Sequence, residues 1–362
     1  MNLSPVILRC MKIVIESLIF GALVASAPCS AQQALSAKQW DGPTEGPRGQ
    51  AAKKVTFISQ DLKNSGISAA YRGFYGAIEK LGWEVRLVDG KGDAAIIRAG
   101  FAAAIGSHQD AIVLGGFQID QAFADLVNLA RQSKIVLAGW HAAAEPGPTK
   151  DLFINIATSS AEVAKMAAEY AIESSKGNMG VVIFNDSRFA VANAKTGYMK
   201  AVIERCERCK VLSIEDVLIS NANNEIPLAV PHLHRLHGKA WTHTLAINDV
   251  YFDAMNVPLM SIGRNDIKNI SAGDGSNVAL SRIKSGHSQQ IATVAEPMSL
   301  QGWQLADELN RAFAGQAPSG YVSAPILITT RLLKQLNGAG IDSNISYKAA
   351  YSAIWMGKGV AE

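Results

Sequence analysis

The sequence of 362 residues predicts an α/β protein made of two similar doubly wound domains, each built around a parallel sheet. Short apolar segments alternate with amphipathic helical segments, which is typical of βαβ units. This alternation runs for about 100 residues and then begins again. The chain is also too long for one core, because domains usually hold about 100–150 residues.

The first series of elements follows a leader rich in Gly and Pro at residues 41–50. Each predicted strand is a short apolar run, and each predicted helix has apolar residues at helical spacing. The predicted strands are residues 55–59, 83–88, 111–114 and 135–138. The predicted helices are residues 69–81, 94–105 and 121–131.

The second series repeats this pattern over the rest of the chain. Its predicted strands are residues 180–184, 211–214, 244–247, 259–262 and 291–295. Its predicted helices are residues 161–174, 190–204, 226–237, a segment from residue 251, 278–285 and 300–314. The repetition of the series predicts a second domain of the same kind.

Composition and motifs exclude several classes of function. The net charge of +3 is weak and no cluster of basic and aromatic residues appears, so nucleic acid is not expected as a partner. No Gly-rich phosphate loop, nucleophile elbow or zinc-protease motif is present, so we predict no enzyme and no cofactor. The histidines at positions 232, 234, 237 and 243 are interpreted as a solvated helix face rather than a metal site.

The first 31 residues have the layout of a cleavable secretory signal. Arg9 and Lys12 precede an apolar run at residues 13–24, and small residues follow up to Ala31. The run is too short to span a bilayer. Small residues at the recognition positions, Cys29 and Ala31, predict cleavage after Ala31 and a periplasmic protein. A lipoprotein signal at Cys29 is the alternative, which Pro28 disfavours. Whether Met1 or Met11 is the start is left open.

Two cysteines, Cys206 and Cys209, remain after the predicted cleavage. They follow a predicted helix and precede a predicted strand, whereas a thioredoxin-like pair lies at the start of a helix. An oxidising compartment favours a structural disulfide. Reduced thiols and redox or metal roles remain as alternatives.

The loops after the predicted strands are rich in carboxylates, amides and aromatic residues. In open parallel sheets ligands bind beyond the carboxyl ends of the strands. If two such domains face each other, these loops line the cleft between them. The loops are residues 59–61, 115–118, 139–141, 185–188, 248–249, 273–275 and 296–297.

Several of these segments resemble the ribose-binding-protein-like family, the periplasmic sugar-binding proteins of ABC transporters. The segments are Phe-Ile-Ser at 57–59, Lys-Asn-Ser-Gly at 63–66, Leu-Gly-Trp at 81–83, Ala-Ile-Asn-Asp at 246–249, Gly-Asp-Gly at 273–275 and Ala-Thr-Val-Ala-Glu-Pro at 292–297. Their order and spacing together carry the resemblance, which covers the chain from Lys53 to about Thr330.

The resemblance implies the type I periplasmic binding protein fold, with two lobes joined by a three-segment hinge. The implied N-terminal lobe is residues 53–157 with 297–325, after a leader at 32–52. The implied C-terminal lobe is residues 158–296 with 326–362. The chain would cross near Ala157, Glu296 and Pro325, and hinge closure would trap one small solute.

The resemblance and the strand-end loops together define the candidate ligand-binding residues. These are Ser59, Asn64, Phe117, Trp140, His141, Arg188, Asn248, Asp274 and Glu296. The family usually has an Asp-Arg pair where this chain has Trp140 and His141, and a Phe pair where it has residues 65–67. A standard pentose or hexose pocket is therefore not expected. Two carboxylates in one dry cleft favour a neutral or cationic ligand.

The sequence thus predicts a monomeric solute receptor that presents a sugar-like ligand to the membrane permease of an ABC importer. The alternative is a periplasmic sensor subunit of the same fold that signals to a membrane kinase. A secreted hydrolase or redox protein is the third possibility, and it has no supporting motif.

Overall fold

The computed structural model describes residues 40–119 and 121–358. The predicted signal peptide and the start of the predicted leader lie outside the described residues. Within that part of the chain the strands form one sheet of five strands and one of six. The two helix-covered sheets confirm the predicted pair of doubly wound α/β domains, which we call the first and second lobes.

The sheet of the first lobe is parallel throughout. Its strands are β1 (Lys54–Ser59), β2 (Glu84–Asp89), β3 (Ala111–Gly115), β4 (Val136–Trp140) and β5 (Ile154–Ile156). Its flanking helices include α1 (Ser65–Leu81), α2 (Ala94–Gly106) and α3 (Ala124–Gln132). The strand order is β2-β1-β3-β4-β5, which places β1 and β3 in the interior, where apolar residues are buried on both faces.

The sheet of the second lobe has one antiparallel edge strand. Its strands are β6 (Met179–Asn185), β7 (Cys209–Asp216), β8 (His243–Ala246), β9 (Lys268–Ser271), β10 (Gln290–Ala295) and β11 (Ile326–Thr329). The order is β11-β10-β9-β8-β6-β7, and β11 runs antiparallel to β10. Its helices are α4 (Ser160–Ser174), α5 (Ala190–Ile203), α6 (Ala222–His237), α7 (Val250–Asp253), α8 (Asn256–Ser261) and α9 (Asn277–Ser285).

Three further helices complete the described chain. They are α10 (Met298–Phe313), α11 (Thr330–Leu336) and α12 (Tyr347–Trp355). Helix α10 packs against α1 in the first lobe and is buried along most of its length.

Local capping sets the ends of two helices that begin near the cleft. Asn64 caps α1 by accepting from the amides of Gly66 and Ile67, and Gly82 ends the helix with a left-handed φ of 70°. In the second lobe, Ser276 caps α9 and Gly286 ends it with a φ of 69°. Both helices therefore begin at a side-chain cap and end at a glycine in the left-handed conformation.

The predicted strand at 259–262 is wrong, because this segment belongs mainly to the short helix α8. Leu259 is buried while Val257 and Met260 are exposed, which is one-sided helical packing rather than a buried strand. The actual strand is β9, whose Asn269 and Ser271 are fully buried. Polar residues inside a parallel strand hide it from an analysis of apolar runs.

Three passages join the sheets of the two lobes. The first passage joins β5 to α4 after Ile156, the second joins β10 to α10 at residues 296–297, and the third joins α10 to β11 through residues 314–325. A further connection, residues 337–346, leads from α11 to α12.

Helix α12 packs in the core of the first lobe, which corrects the assignment of all residues 326–362 to the second lobe. Tyr351 and Trp355 are buried there, and Trp355 stacks on Trp303 with ring centroids 5.4 Å apart. The Trp355 Nε1 also donates to the buried Asp307 at 2.8 Å. These aromatic contacts hold the C-terminal helix on the first lobe.

Three further observations bear on the sequence-based expectations. Cys206 and Cys209 form a disulfide, with a Cα–Cα distance of 5.2 Å, in the turn between α5 and β7. Among the described residues, no helix combines the length and apolar character that crossing a bilayer requires. In the same part of the chain, no group of three or more His, Cys, Asp or Glu side chains is placed to hold a metal ion.

Candidate functional site

Two adjoining cavities of about 220 and 340 Å³ lie between the lobes. Four polar residues line both of them: Asn64, His141, Asp274 and Glu296. Asn64 and His141 follow strands of the first lobe, Asp274 follows β9 of the second, and Glu296 lies in the passage after β10. We call this pair of cavities the cleft.

His141 and Glu296 form a close pair at the centre of the cleft. The His141 Nε2 lies 2.9 Å from the Glu296 Oε2, and His141 has a left-handed φ of 51°. Its backbone amide donates to the Ile156 carbonyl at 3.0 Å, which fixes this unusual conformation beside the first passage. The imidazole remains about one-third exposed, whereas the Glu296 side chain is only 14% exposed.

Gln301, a fully buried residue of α10, connects this pair to all three passages between the lobes. Its Nε2 donates to the Glu296 Oε2 at 2.9 Å, the Thr158 Oγ1 at 3.0 Å and the Ser323 Oγ at 3.2 Å. Its Oε1 accepts from the Trp140 Nε1 at 2.7 Å. The Thr158 amide adds a bond to the Glu296 Oε2 at 3.1 Å. Residues of three separate chain segments therefore meet at one amide side chain.

Glu296 is held as an anion despite its burial. Burial would raise the pKa of this carboxyl, but the nearby His141 ring and the hydrogen bonds from His141 and Gln301 outweigh that effect. Together they lower the pKa of Glu296 to about 2. The side chain is therefore a fixed negative charge and acceptor at neutral pH.

Asp274 is a carboxylate of different character. Loss of solvation raises its pKa, and the Lys195 ammonium and a hydrogen bond from the Asn248 Nδ2 oppose that shift. The Asp274 backbone has a left-handed φ of 71°, and its side chain is exposed in the cleft. Lys195 and Asn248 also line the larger cavity, so Asp274 has a cation and an amide donor beside it.

Asn64 offers mainly donors to the cleft. Its Oδ1 accepts from the amides of Gly66 and Ile67 at 2.9 and 3.2 Å. The Nδ2 hydrogens are therefore what Asn64 can present to a solute.

Trp140 lines the smaller cavity but is only 6% exposed, and its Nε1 already donates to the Gln301 Oε1. The ring contacts His141 edge-on, with centroids 4.5 Å apart. It therefore contributes apolar wall and no hydrogen bond to the cleft.

Three predicted residues do not line the cleft. Ser59 is fully buried, and its Oγ donates to the Val88 carbonyl. Phe117 packs in the core of the first lobe against Phe123. Arg188 pairs with Asp186 at 2.7 Å, an ion pair that lies outside both cavities.

Sequence reasoning missed Lys195, Thr158 and Gln301. Lys195 lies in the same strand-end segment as the predicted Arg188, on helix α5, and lines the larger cavity, which Arg188 does not. The role of Gln301 could not be predicted, because a single glutamine in an amphipathic helix is common and does not indicate a binding site.

The comparisons with known proteins agree with this architecture. Residues 55–317 match the family model described as "Periplasmic binding protein domain", and the chain belongs to this family. The match confirms the predicted family and a binding protein rather than an enzyme. A search of curated protein sequences finds no significant match.

Solved structures with the same fold include several ABC transporter solute-binding proteins. One from Agrobacterium vitis with bound allitol is 17% identical, with a TM-score of 0.66 over 79% of this chain and 98% of that one. A 5-methylthioribose transporter protein from Thermotoga lettingae is 14% identical, with a TM-score of 0.67 over 88% and 100%. A protein from Bacillus halodurans with bound myo-inositol is 16% identical, with a TM-score of 0.64 over 83% and 99%. These likenesses show the fold.

Proposed function

We propose that the protein is the exported solute-binding component of an ABC importer and traps one small polyhydroxylated solute between its lobes. The observation that carries this proposal is the convergence of Asn64, His141, Asp274 and Glu296, from both lobes and from a passage between them, on adjoining cavities. The structural neighbours that carry allitol and myo-inositol support the same class of ligand.

The chemistry of the cleft suits vicinal hydroxyl groups. A carboxylate such as Asp274 can accept from two neighbouring hydroxyls, while Asn64 donates. The cleft also holds charges of both signs, since Glu296 is ionised and Lys195 lies near both carboxylates. A neutral group with many hydroxyls satisfies these donors and acceptors of the cleft without leaving a buried charge unpaired there.

The partner that follows from this proposal is a membrane permease, which would receive the solute from the closed form in the periplasm. We expect the protein to act as a monomer. The importer role also accounts for a signal peptide at residues 1–31, because the protein must be exported to reach its solute.

The proposal can be tested by a thermal-shift screen of neutral sugars and polyols, with nucleosides and amines as comparison groups. A solute at 100 times its dissociation constant should add about 2.7 kcal/mol to the free energy of unfolding. Asp274→Ala should weaken binding of the solute found by about 10- to 150-fold, because it removes a charged hydrogen-bond acceptor worth about 1.5–3 kcal/mol.

Asp253→Ala is the matched control, because Asp253 is also a paired carboxylate of the second lobe but lies outside the cleft. It should bind the solute as the wild type does. If no sugar or polyol raises the melting temperature, or if the two variants bind equally well, the proposed function is wrong.

A further inference from the structure

A cavity of about 520 Å³ adjoins the cleft and is larger than either of its two parts. Asp274 and Met298 line both this cavity and the smaller cavity of the cleft, so the two spaces are neighbours. The walls come from α1, α9 and α11 and from residues 338–342 of the connection to α12. We call this space the side chamber.

The side chamber has an apolar wall on the side of the second lobe. Leu280, Leu333, Leu336 and Ile341 all line it. Leu333 belongs to a small core with Ile283, and both Leu333 and Leu336 are less than a tenth exposed. An apolar group that entered here would lose its contact with water, which favours binding.

Two cations also line the side chamber, one from each lobe. Arg72 on α1 and Lys284 on α9 are both exposed, and neither side chain makes an ion pair or hydrogen bond with residues 40–119 or 121–358. The acidic residues at the wall are already engaged. Asp342 is buried and accepts from the Leu300 amide at 3.0 Å, and Asp274 lies beside Asn248 and Lys195.

We propose that the side chamber binds the second part of an extended solute, an apolar group that carries an anionic substituent. This inference rests on the proposed function, because the polyhydroxylated part of the same solute would occupy the cleft. The apolar group would pass Asp274 and Met298 and lie against the leucines of α9 and α11. Its anion would then bind the guanidinium of Arg72, which can form two parallel hydrogen bonds, and the ammonium of Lys284.

The test uses two fluorescent probes of matching shape on the full mature chain. The first is 8-anilinonaphthalene-1-sulfonate, which is apolar and anionic, and the second is the neutral N-phenyl-1-naphthylamine. The double variant R72E/K284E reverses both cations of the side chamber. The control K80E/K334E also replaces two cations with two anions and therefore makes the same change in net charge. Lys80 on α1 and Lys334 on α11 are exposed but do not line the chamber.

We expect R72E/K284E to weaken sulfonate binding at least tenfold relative to K80E/K334E, and to change binding of the neutral probe less than twofold. Ser281→Trp should weaken binding of both probes, because Ser281 is an exposed residue of α9 that lines the chamber and an indole there would fill it. Equal sulfonate affinity in the two double variants, or unchanged binding of both probes in Ser281→Trp, would overturn the inference.

The outcome for the side chamber can be separated from the outcome for the cleft. Sulfonate binding that depends on Arg72 and Lys284, in a protein that binds no sugar or polyol, would support the side chamber and contradict the proposed function. Solute binding that depends on Asp274, together with probe binding that ignores both cations, would support the proposed function and contradict the side chamber.

Discussion

Glu296 is the residue on which the site depends most, because it joins the cleft to the passages between the lobes. It accepts hydrogen bonds from His141, Gln301 and the Thr158 amide through one oxygen. Its environment lowers its pKa, whereas loss of solvation raises that of Asp274 nearby. Two carboxyls of the same cleft therefore differ in how firmly they hold their charge.

The first prediction concerns the acid stability of the folded protein. The pKa of Glu296 falls from its ordinary 4.5 to about 2 on folding. A lowered pKa stabilises the fold above the unfolded-state value, and this contribution is lost as the pH falls through the folded-state value. Glu296→Gln should therefore cost about 1–3 kcal/mol at pH 7 and much less near pH 2.

Urea unfolding of the wild type and Glu296→Gln at several values between pH 2 and pH 7 checks this prediction. The difference in free energy of unfolding should shrink as the pH falls below about 4.5. A difference that stays constant over this range would mean that Glu296 is not held as an anion by its neighbours.

At the residue scale, the sequence predicts positions at strand ends well and the directions of side chains poorly. Asn64, His141, Asp274 and Glu296 line the cleft because parallel strands end at one edge of a sheet. Ser59 also ends a strand, yet its side chain bonds within the sheet. The partner of Ser59, the Val88 carbonyl, is distant in sequence, whereas Arg188 pairs with Asp186 only two residues away.

Helix α10 is the element that ties the passages together. It begins at the second passage, and its Gln301 bonds to Thr158 of the first and Ser323 of the third. The same helix carries Gln304, also buried, whose Nε2 donates to the Tyr321 carbonyl. The Gln304 Oε1 has no hydrogen-bond partner within the described part of the chain.

These two glutamines allow a matched test of the role of Gln301. Gln301→Leu should cost about 2–4 kcal/mol, because it leaves the buried Trp140 N–H without an acceptor and Glu296 with one donor fewer. Gln304→Leu should cost less, about 1–2 kcal/mol, because it breaks only the hydrogen bond from the Gln304 Nε2 to the Tyr321 carbonyl and also removes a buried oxygen that is already unpaired.

Chemical denaturation of both variants measures these costs. Equal losses of stability in the two would show that Gln301 contributes no more than an ordinary buried amide. A larger loss of stability in Gln301→Leu would indicate that the hydrogen bonds of Gln301 to the passages stabilise the fold.

The elements that the sequence misses share a physical cause. Strand β9 contains buried Asn269 and Ser271, and the sheet rather than its own composition makes it a strand. Strands β5 and β11 contain three and four residues, too few for a periodic signal. The longer apolar strands and the capped helices are predictable, because local pattern and tertiary packing agree there.

At the scale of the whole molecule, the two-lobed organisation follows from the repeated βαβ series, while the course of the C-terminus does not. Helix α12 joins the first lobe through aromatic stacking on α10, after a connection that also forms part of the side chamber. Nothing in the sequence of that helix specifies which of two similar cores it covers.

We propose that a solute brings the two lobes together about the passages near Thr158, Glu296 and Ser323. Closure requires that the solute bind the closed form better than the open one, which contacts from both lobes provide. We propose that Asp274 supplies such a contact from the second lobe and Asn64 from the first, because both line the cleft.

Small-angle X-ray scattering can measure this closure when the protein is saturated with the solute found in the thermal-shift screen. The radius of gyration of the wild type should decrease on saturation. Asp274→Ala should stay extended at a solute concentration that saturates only the wild type. A saturated wild-type protein whose radius of gyration does not change would contradict closure, and would indicate a rigid receptor whose partner recognises its surface.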